Sequence, residues 1–249
     1  MLGWQIFKHS FSMVTRNLGK AIHICAVPWV IAVAIILVLA LAMGVSFDSL
    51  TSGAAGGGLV GGLLLVLIIL VVIATALWIA VAWHRYILLE ESPSGLLPPI
   101  HQDRMLAYLG RGFVLFLLFM VTGAILLGLV ASMAAVIPAV ALIIGFAVGL
   151  AMVVIFYRLS VILPAAALGQ SMSLTQALEH TRGATVTIVI IALSLFMTEL
   201  AIQTVTLLLS FIPVVGVLAS IAATMFTTML GISILTTLYG YYIEKRELS

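Results

Sequence analysis

The sequence predicts an all-α, polytopic membrane fold: six transmembrane helices arranged as three hairpins, with interfacial helices on the cytoplasmic side. Three observations carry that expectation. Of 249 residues only 18 are charged, ten Lys or Arg and eight Asp or Glu, which is 7% where a soluble domain carries roughly 25%. Hydrophobic residues make up 64% of the chain and the mean hydropathy is +1.37, so lipid has to cover what water cannot. The charges are also widely spaced, with 46 uncharged residues between Arg111 and Arg158 and 44 between Glu199 and Glu244. A helix rising about 1.5 Å per residue crosses roughly 30 Å of hydrocarbon in about 20 residues, so each of these tracts holds two crossings. A net charge of +2 and one cysteine, Cys25, exclude a nucleic-acid binder, a disordered tail and a disulfide scaffold.

Residues 1–20 form the first element. Trp4, Phe7, Phe11, Val14 and Leu18 recur at three- and four-residue spacings while Gln5, Lys8, His9 and Arg16 carry the polarity, the pattern of an amphipathic helix lying on a membrane surface. The first span follows at 22–43. It resembles a secretory signal ending in Ala40-Leu41-Ala42, but its apolar stretch of about 20 residues exceeds the roughly 7–15 of a signal, which marks it as a retained anchor. Beyond Asp48 and a small-residue connector at 51–62, with Gly56-Gly57-Gly58 inside it, the second span at 63–83 completes hairpin one (22–83).

A cytoplasmic loop at 84–112 leads to hairpin two (113–163), whose spans at 113–137 and 140–163 separate at Pro138. Within that loop Met105, Leu106, Tyr108 and Leu109 form a second interfacial segment that stops at Gly110-Arg111-Gly112. The cytoplasmic segment 164–183 contains a capping box, Ser173 with Gln176, and a short helix ended by Gly183. Hairpin three (185–239, spans 185–209 and 214–239) turns at Phe211-Ile212-Pro213 and Gly216, and 240–249 is a cytoplasmic tail. A short helix that stops at a basic residue beside a glycine (Gly19-Lys20, Gly110-Arg111, Arg182-Gly183) thus introduces each hairpin, which reads either as a three-fold repeat of about 80 residues or as convergent chemistry at an interface.

Orientation follows from the cations, because Lys and Arg in short loops are retained in the cytoplasm. All ten fall on one side of the predicted topology, and so do all six tyrosines. Both termini are therefore expected in the cytoplasm. Of the eight acids, Asp48 lies opposite and Glu199 within a span, so the cytoplasmic face holds ten cations and six acids, a balance of +4 suited to anionic headgroups.

Several stretches carry a resemblance: Trp4-Gln5-Ile6-Phe7 with Arg16-Asn17-Leu18; Trp83-His84-Arg85-Tyr86; and Arg158-Leu159-Ser160 through Leu163-Pro164-Ala165-Ala166-Ala167 to Ser173-Leu174 and Thr181-Arg182-Gly183. With these the chain resembles a group of uncharacterised multi-pass bacterial inner-membrane proteins, similar in turn to the membrane domain attached to some glycerophosphodiester phosphodiesterases. The resemblance covers most of the chain through loose patterns. It implies a six-helix domain without chemistry of its own, and no catalytic residue is carried over.

Glu199 is the most informative position, since an ionisable group inside a span is costly and faces the protein interior or a water-filled cavity. Gln203 follows one turn later on the same face. The pair reads either as a proton or cation relay or ligand anchor, or as a protonated glutamate bonding Thr227 or Thr228 of the sixth span. Arg158 reads either as a lipid-headgroup contact or as a cation snorkelling to the interface. His84, His101 and His180 read as interface histidines; His101 with Asp103, or His23 alone, is the weak metal or pigment alternative, without His-Glu-x-x-His spacing. Gly145 with Gly149, and Gly216 with Ser220, are small residues four apart, a packing face within the chain or toward a partner.

No Gly-x-Ser-x-Gly, Ser-x-x-Lys or phosphate-loop pattern occurs, so no catalytic residue, cofactor or metal is assigned. The expected function is a non-enzymatic integral membrane protein of the bacterial inner membrane, an accessory, assembly or lipid-associated scaffold acting through helix packing. Its partners would be anionic membrane lipids and a membrane protein or a second copy, not nucleic acid. The alternative is a small transporter or channel-like protein with a polar path at Glu199; an intramembrane lipid-modifying enzyme is third.

Overall fold

The computed structural model describes residues 1–46, 58–93 and 95–248; Asp48 and the greater part of the connector, including Gly56 and Gly57, lie outside the described residues. Among the described residues the chain is helical without strands, and six helices are long and apolar enough to cross a membrane. In order they are α1 (Leu2–Arg16), α2 (Leu18–Ala42), α3 (Gly58–Leu89), α4 (Gln102–Ala134), α5 (Pro138–Leu159), α6 (Ile162–Leu168), α7 (Leu174–His180), α8 (Thr185–Leu209) and α9 (Pro213–Tyr242). α2 packs on α3, α4 on α5 and α8 on α9, which makes three hairpins. α1 lies against both helices of the third.

The buried positions concentrate at one end. On α9 they run from Met229 to Gly240 with only Gly216 beyond, and on α3 they cluster from Ile79 to Leu88 with Gly61, Leu64 and Thr75 outside the cluster. On α8 they are Thr187, Ile188 and Ile191, and on α1 Gly3, Ile6, Phe7, Ser10 and Val14. Hydrogen bonds join this end to Arg85, Arg111, Arg158 and Arg246, so we call it the basic end. Toward the other end Leu65, Leu142, Phe146, Leu207 and Leu218 stand exposed. Lipid tails are as apolar as leucine, so nothing drives those side chains inward.

Four boundaries differ from the sequence reading. The segment at 102–112 is no separate interfacial helix, because α4 runs unbroken through Gly110, Arg111 and Gly112. Neither glycine adopts a positive φ, and Arg111 Nη1 donates to the carbonyl of Ile162 (3.1 Å), so a tertiary bond holds the arginine that the sequence pattern reads as a stop. The loop 84–112 therefore shrinks to the stretch between Leu89 and Gln102. α2 begins at Leu18, separated from α1 only by Asn17, and α9 extends through Tyr242 into the expected tail.

The fourth difference is α6, placed by sequence in a cytoplasmic segment. It is buried from Ile162 to Ala167, with Ala165, Ala166 and Ala167 at 0% exposure. Pro164 has no N–H to give Ser160 and its ring crowds that carbonyl, so the chain turns at Ser160–Val161 and Leu163 N donates to Ser160 O instead (3.0 Å). Gly169 closes α6 at φ +79 with the paired bonds of a Schellman turn, Gly169 N to Ala166 O and Gln170 N to Ala165 O. The alanines let the short helix fit against α3, α4 and α9.

Candidate functional site

The basic end is built on groups that the spans bring from far apart in sequence. Trp83 is fully buried and its Nε1 donates to Ser233 Oγ (2.9 Å). Ser10 Oγ and Thr237 Oγ1 share a hydrogen bond between α1 and α9 (2.8 Å), and Ile6 O and Ser233 O, each 2.9 Å from its own helix's hydroxyl, are the acceptors for the remaining proton. His84 is fully buried, a correction to the solvated interface position its sequence context implied. Thr236 donates to Ile232 O (2.9 Å), which leaves its oxygen to accept from His84 Nδ1 (2.8 Å), while Tyr108 OH lies 3.4 Å from Nε2. Sequence reasoning missed this cluster. Its signal was Ser233, Thr236 and Thr237 recurring at helical spacing near the end of an apolar span.

Four arginines, Arg85, Arg111, Arg158 and Arg246, act inward. Arg85 Nη1 donates to Ala167 O at the C-terminus of α6 (3.2 Å), and Arg246 Nη2 to Leu88 O (2.6 Å). Arg158, the candidate headgroup contact, donates through Nε to Thr181 Oγ1 (3.2 Å) and through Nη2 to Leu178 O (2.7 Å), clamping α7 to the end of α5. Tyr239 OH donates to Gln170 Oε1 and Tyr86 OH to Asn17 Oδ1, so these two tyrosines face the protein rather than a headgroup layer. Among the described residues no buried side-chain nitrogen or oxygen lacks a partner.

Between α3 and α4 the chain is strapped down. Glu91 accepts from Arg85 Nε and pairs with His101 Nε2, each at 2.7 Å, while Trp78 Nε1 donates to the carbonyls of Pro98 and Pro99. Partial burial acts to raise the Glu91 carboxyl, but the hydrogen bonds from His101 and Arg85 and their charges outweigh it and hold it below the ordinary carboxylate range. His101 is thus joined to Glu91, and Asp103 pairs with Arg104. His23 bonds Leu96 O and His180 bonds Gln176 O.

Glu199 is half-buried on α8 and accepts from Gln203 Nε2 (3.2 Å), so the predicted pair does meet, within one helix. Thr227 bonds Thr224 O of its own helix. Gly145 packs in hairpin two, where an added Cβ would sit 3.2 Å from Val130 Cγ1 on α4. Gly149 faces open space. Gly216 closes against Ser210 at the α8–α9 turn, and Ser220 donates to Gly216 O.

No family model, curated protein or solved structure matches this chain. What the molecule offers a ligand is therefore read from its own concavities. One groove of about 720 Å³ lies between α8 and α9 beneath α1, walled by Trp4, Phe11, Met197, Ala201, Ala223 and Phe226. A second, about 570 Å³, lies between hairpin one and the start of α4, with Pro28, Leu70, Trp78, Met105 and Leu109 in its walls. A third, about 410 Å³, separates α2 from α9 at Leu18, Cys25, Leu218, Met225 and Met229. All three are lined almost wholly by apolar side chains. A polar hollow of about 570 Å³ separates the outer face of α1, with Lys8 and Arg16, from Tyr241 and Glu247.

Proposed function

We propose that the protein is a non-enzymatic integral membrane protein, an accessory or assembly factor or lipid-associated scaffold, working through its helix faces in a bacterial inner membrane. In this reading both termini and all ten cations lie on the cytoplasmic side, where Lys and Arg are retained and where a +4 face meets anionic headgroups. The observation that carries it is the pairing of a sealed, internally hydrogen-bonded basic end with apolar grooves along the flanks of α2, α8 and α9. Grooves of that lining take acyl chains or partner helices, because close van der Waals packing is what holds partners together in lipid. The resemblance to the membrane domain of glycerophosphodiester phosphodiesterases points the same way, toward a membrane module without chemistry of its own. The partner is a membrane protein or a second copy, docking where small residues such as Gly149 leave the backbone approachable.

The test is purification in lipid nanodiscs with mass measurement, beside ion and solute flux in proteoliposomes. A stoichiometric assembly well above the 26.4 kDa of one chain supports the proposal. A lone chain whose flux disappears in Glu199→Gln overturns it in favour of transport.

A further inference from the structure

The groove beneath α1 has a shape and a rim that select its occupant. Its wall on α8 runs from Leu193 to Ile202, ten residues, whose nine rises of 1.5 Å span about 14 Å, close to half of the roughly 30 Å hydrocarbon thickness. The wall begins about 12 Å in from Thr185 and crosses the middle of the span, within reach of an acyl chain that descends from the α1 side. A partner transmembrane helix would need a seam along the whole span, whereas an acyl chain from the leaflet nearest α1 needs only this length. The floor is made by Ala201, Ala222 and Ala223. Ser194 and Thr198 also line it, but they donate to Ile190 O (2.8 Å) and Ser194 O (2.9 Å) of their own helix, so the wall is apolar there too. A row of rings frames the opening: Trp4 on Phe7 at 5.6 Å, Phe7 beside Phe11 at 6.3 Å, and Phe11 edge-on to Phe226 at 5.5 Å.

Charge settles which lipid. Lys8 lies four residues after Trp4 and three before Phe11, hence beside both on the α1 surface, and it is exposed. It forms no ion pair among the described residues, even though Glu247 lines the adjoining hollow. Arg16 lines the polar hollow instead of this groove, and Arg158 is committed to Thr181 and Leu178. Trp4, 53% exposed, is the amphipathic ring that suits the boundary between acyl chain and headgroup.

We infer that this groove binds one acyl chain of an anionic glycerophospholipid, with the lipid phosphate against Lys8 and the indole of Trp4 at the mouth. The inference rests on the lipid-associated scaffold reading and names its lipid site.

Native mass spectrometry of the full chain, titrated with phosphatidylglycerol and with phosphatidylcholine of identical acyl chains, tests it. One lysine near an anionic surface contributes about 1 kcal/mol, so phosphatidylglycerol should be retained roughly five-fold more strongly than phosphatidylcholine. Lys8→Gln should remove that preference, and Ala201→Phe or Ala223→Phe, which fill the floor, should lower retention of both lipids. Equal retention of the two by the native chain overturns the site, as does undiminished retention in a filled variant. If the filled variants do not fold, Lys8→Gln decides alone: an unchanged preference overturns the site. Cross-linking from Leu193→Cys to a polypeptide instead of lipid also overturns it. Loss of the lipid effect while the nanodisc assembly persists sinks only this site; a lone, flux-competent chain sinks the scaffold reading itself.

Discussion

At the basic end Trp83, Ser233, Ser10, Thr237, His84 and Thr236 are buried with their polar atoms joined across three helices, α1, α3 and α9. Toward the opposite ends of the same helices, hydroxyls such as Thr204 and Thr224 bond only to their own backbone, and leucines and phenylalanines point outward. The composition of the two regions differs little, but the solvent argument differs. Near an interface a backbone carbonyl freed at a helix end, such as Leu88 O or Ala167 O, needs a donor, and the arginines supply it. Deep in hydrocarbon every backbone group is already satisfied within the helix, so lipid can serve as the neighbour. The molecule is accordingly welded at one end and open to lipid or to partners along its flanks.

The sharpest way to break that contrast is to truncate one large side chain in each region. Trp83→Ala should cost about 3–5 kcal/mol, from lost packing and an orphaned Ser233, while Leu142→Ala should fall within about 0.5 kcal/mol; equal effects in reversible detergent unfolding would erase the distinction. Overpacking comes next. A Cβ on Gly3 would lie 2.5 Å from Thr187 O and 2.7 Å from Ile190 Cβ, so Gly3→Ala should destabilise by about 1–3 kcal/mol. Gly149→Ala, facing open space, should be neutral or stabilise slightly, by up to about 1 kcal/mol. A Ser10→Ala, Thr237→Val double-mutant cycle should return a coupling of about 0.6 kcal/mol, the usual strength of a hydrogen bond between membrane helices.

The smallest effect concerns the strap at Glu91. Its carboxyl is held below the ordinary range when folded, so its contribution is complete above the unfolded value of about 4.5 and is lost as pH falls through the lower folded value. The size should be a few tenths of a kcal/mol, about what a partly exposed ion pair contributes. Hydrogen exchange between residues 90 and 101 should rise on acidification, and Glu91→Gln should show the raised exchange already at neutral pH.

The six spans were legible because hydrocarbon thickness translates directly into the length of a charge-free tract, and the capping box at Ser173 and Gln176 because it is a local hydrogen-bond pattern. The pairing of Glu199 with Gln203 was likewise legible from one turn of helix. The break before α6, the continuity of α4 past Gly110 and Gly112, and the burial of His84 were not. Near an interface a polar residue facing water and one sealed against another helix look the same in sequence. Ser10 meets Thr237 across 227 residues, and Arg111 meets Ile162 across 51. By itself, then, the sequence determined the number of crossings and the gathering of cations at one end, since both depend on composition and helical rise. Only the tertiary structure decided that most of those arginines turn inward as caps while Lys8 and Arg16 stay exposed, because that choice depends on which carbonyls the folded helices leave without a donor.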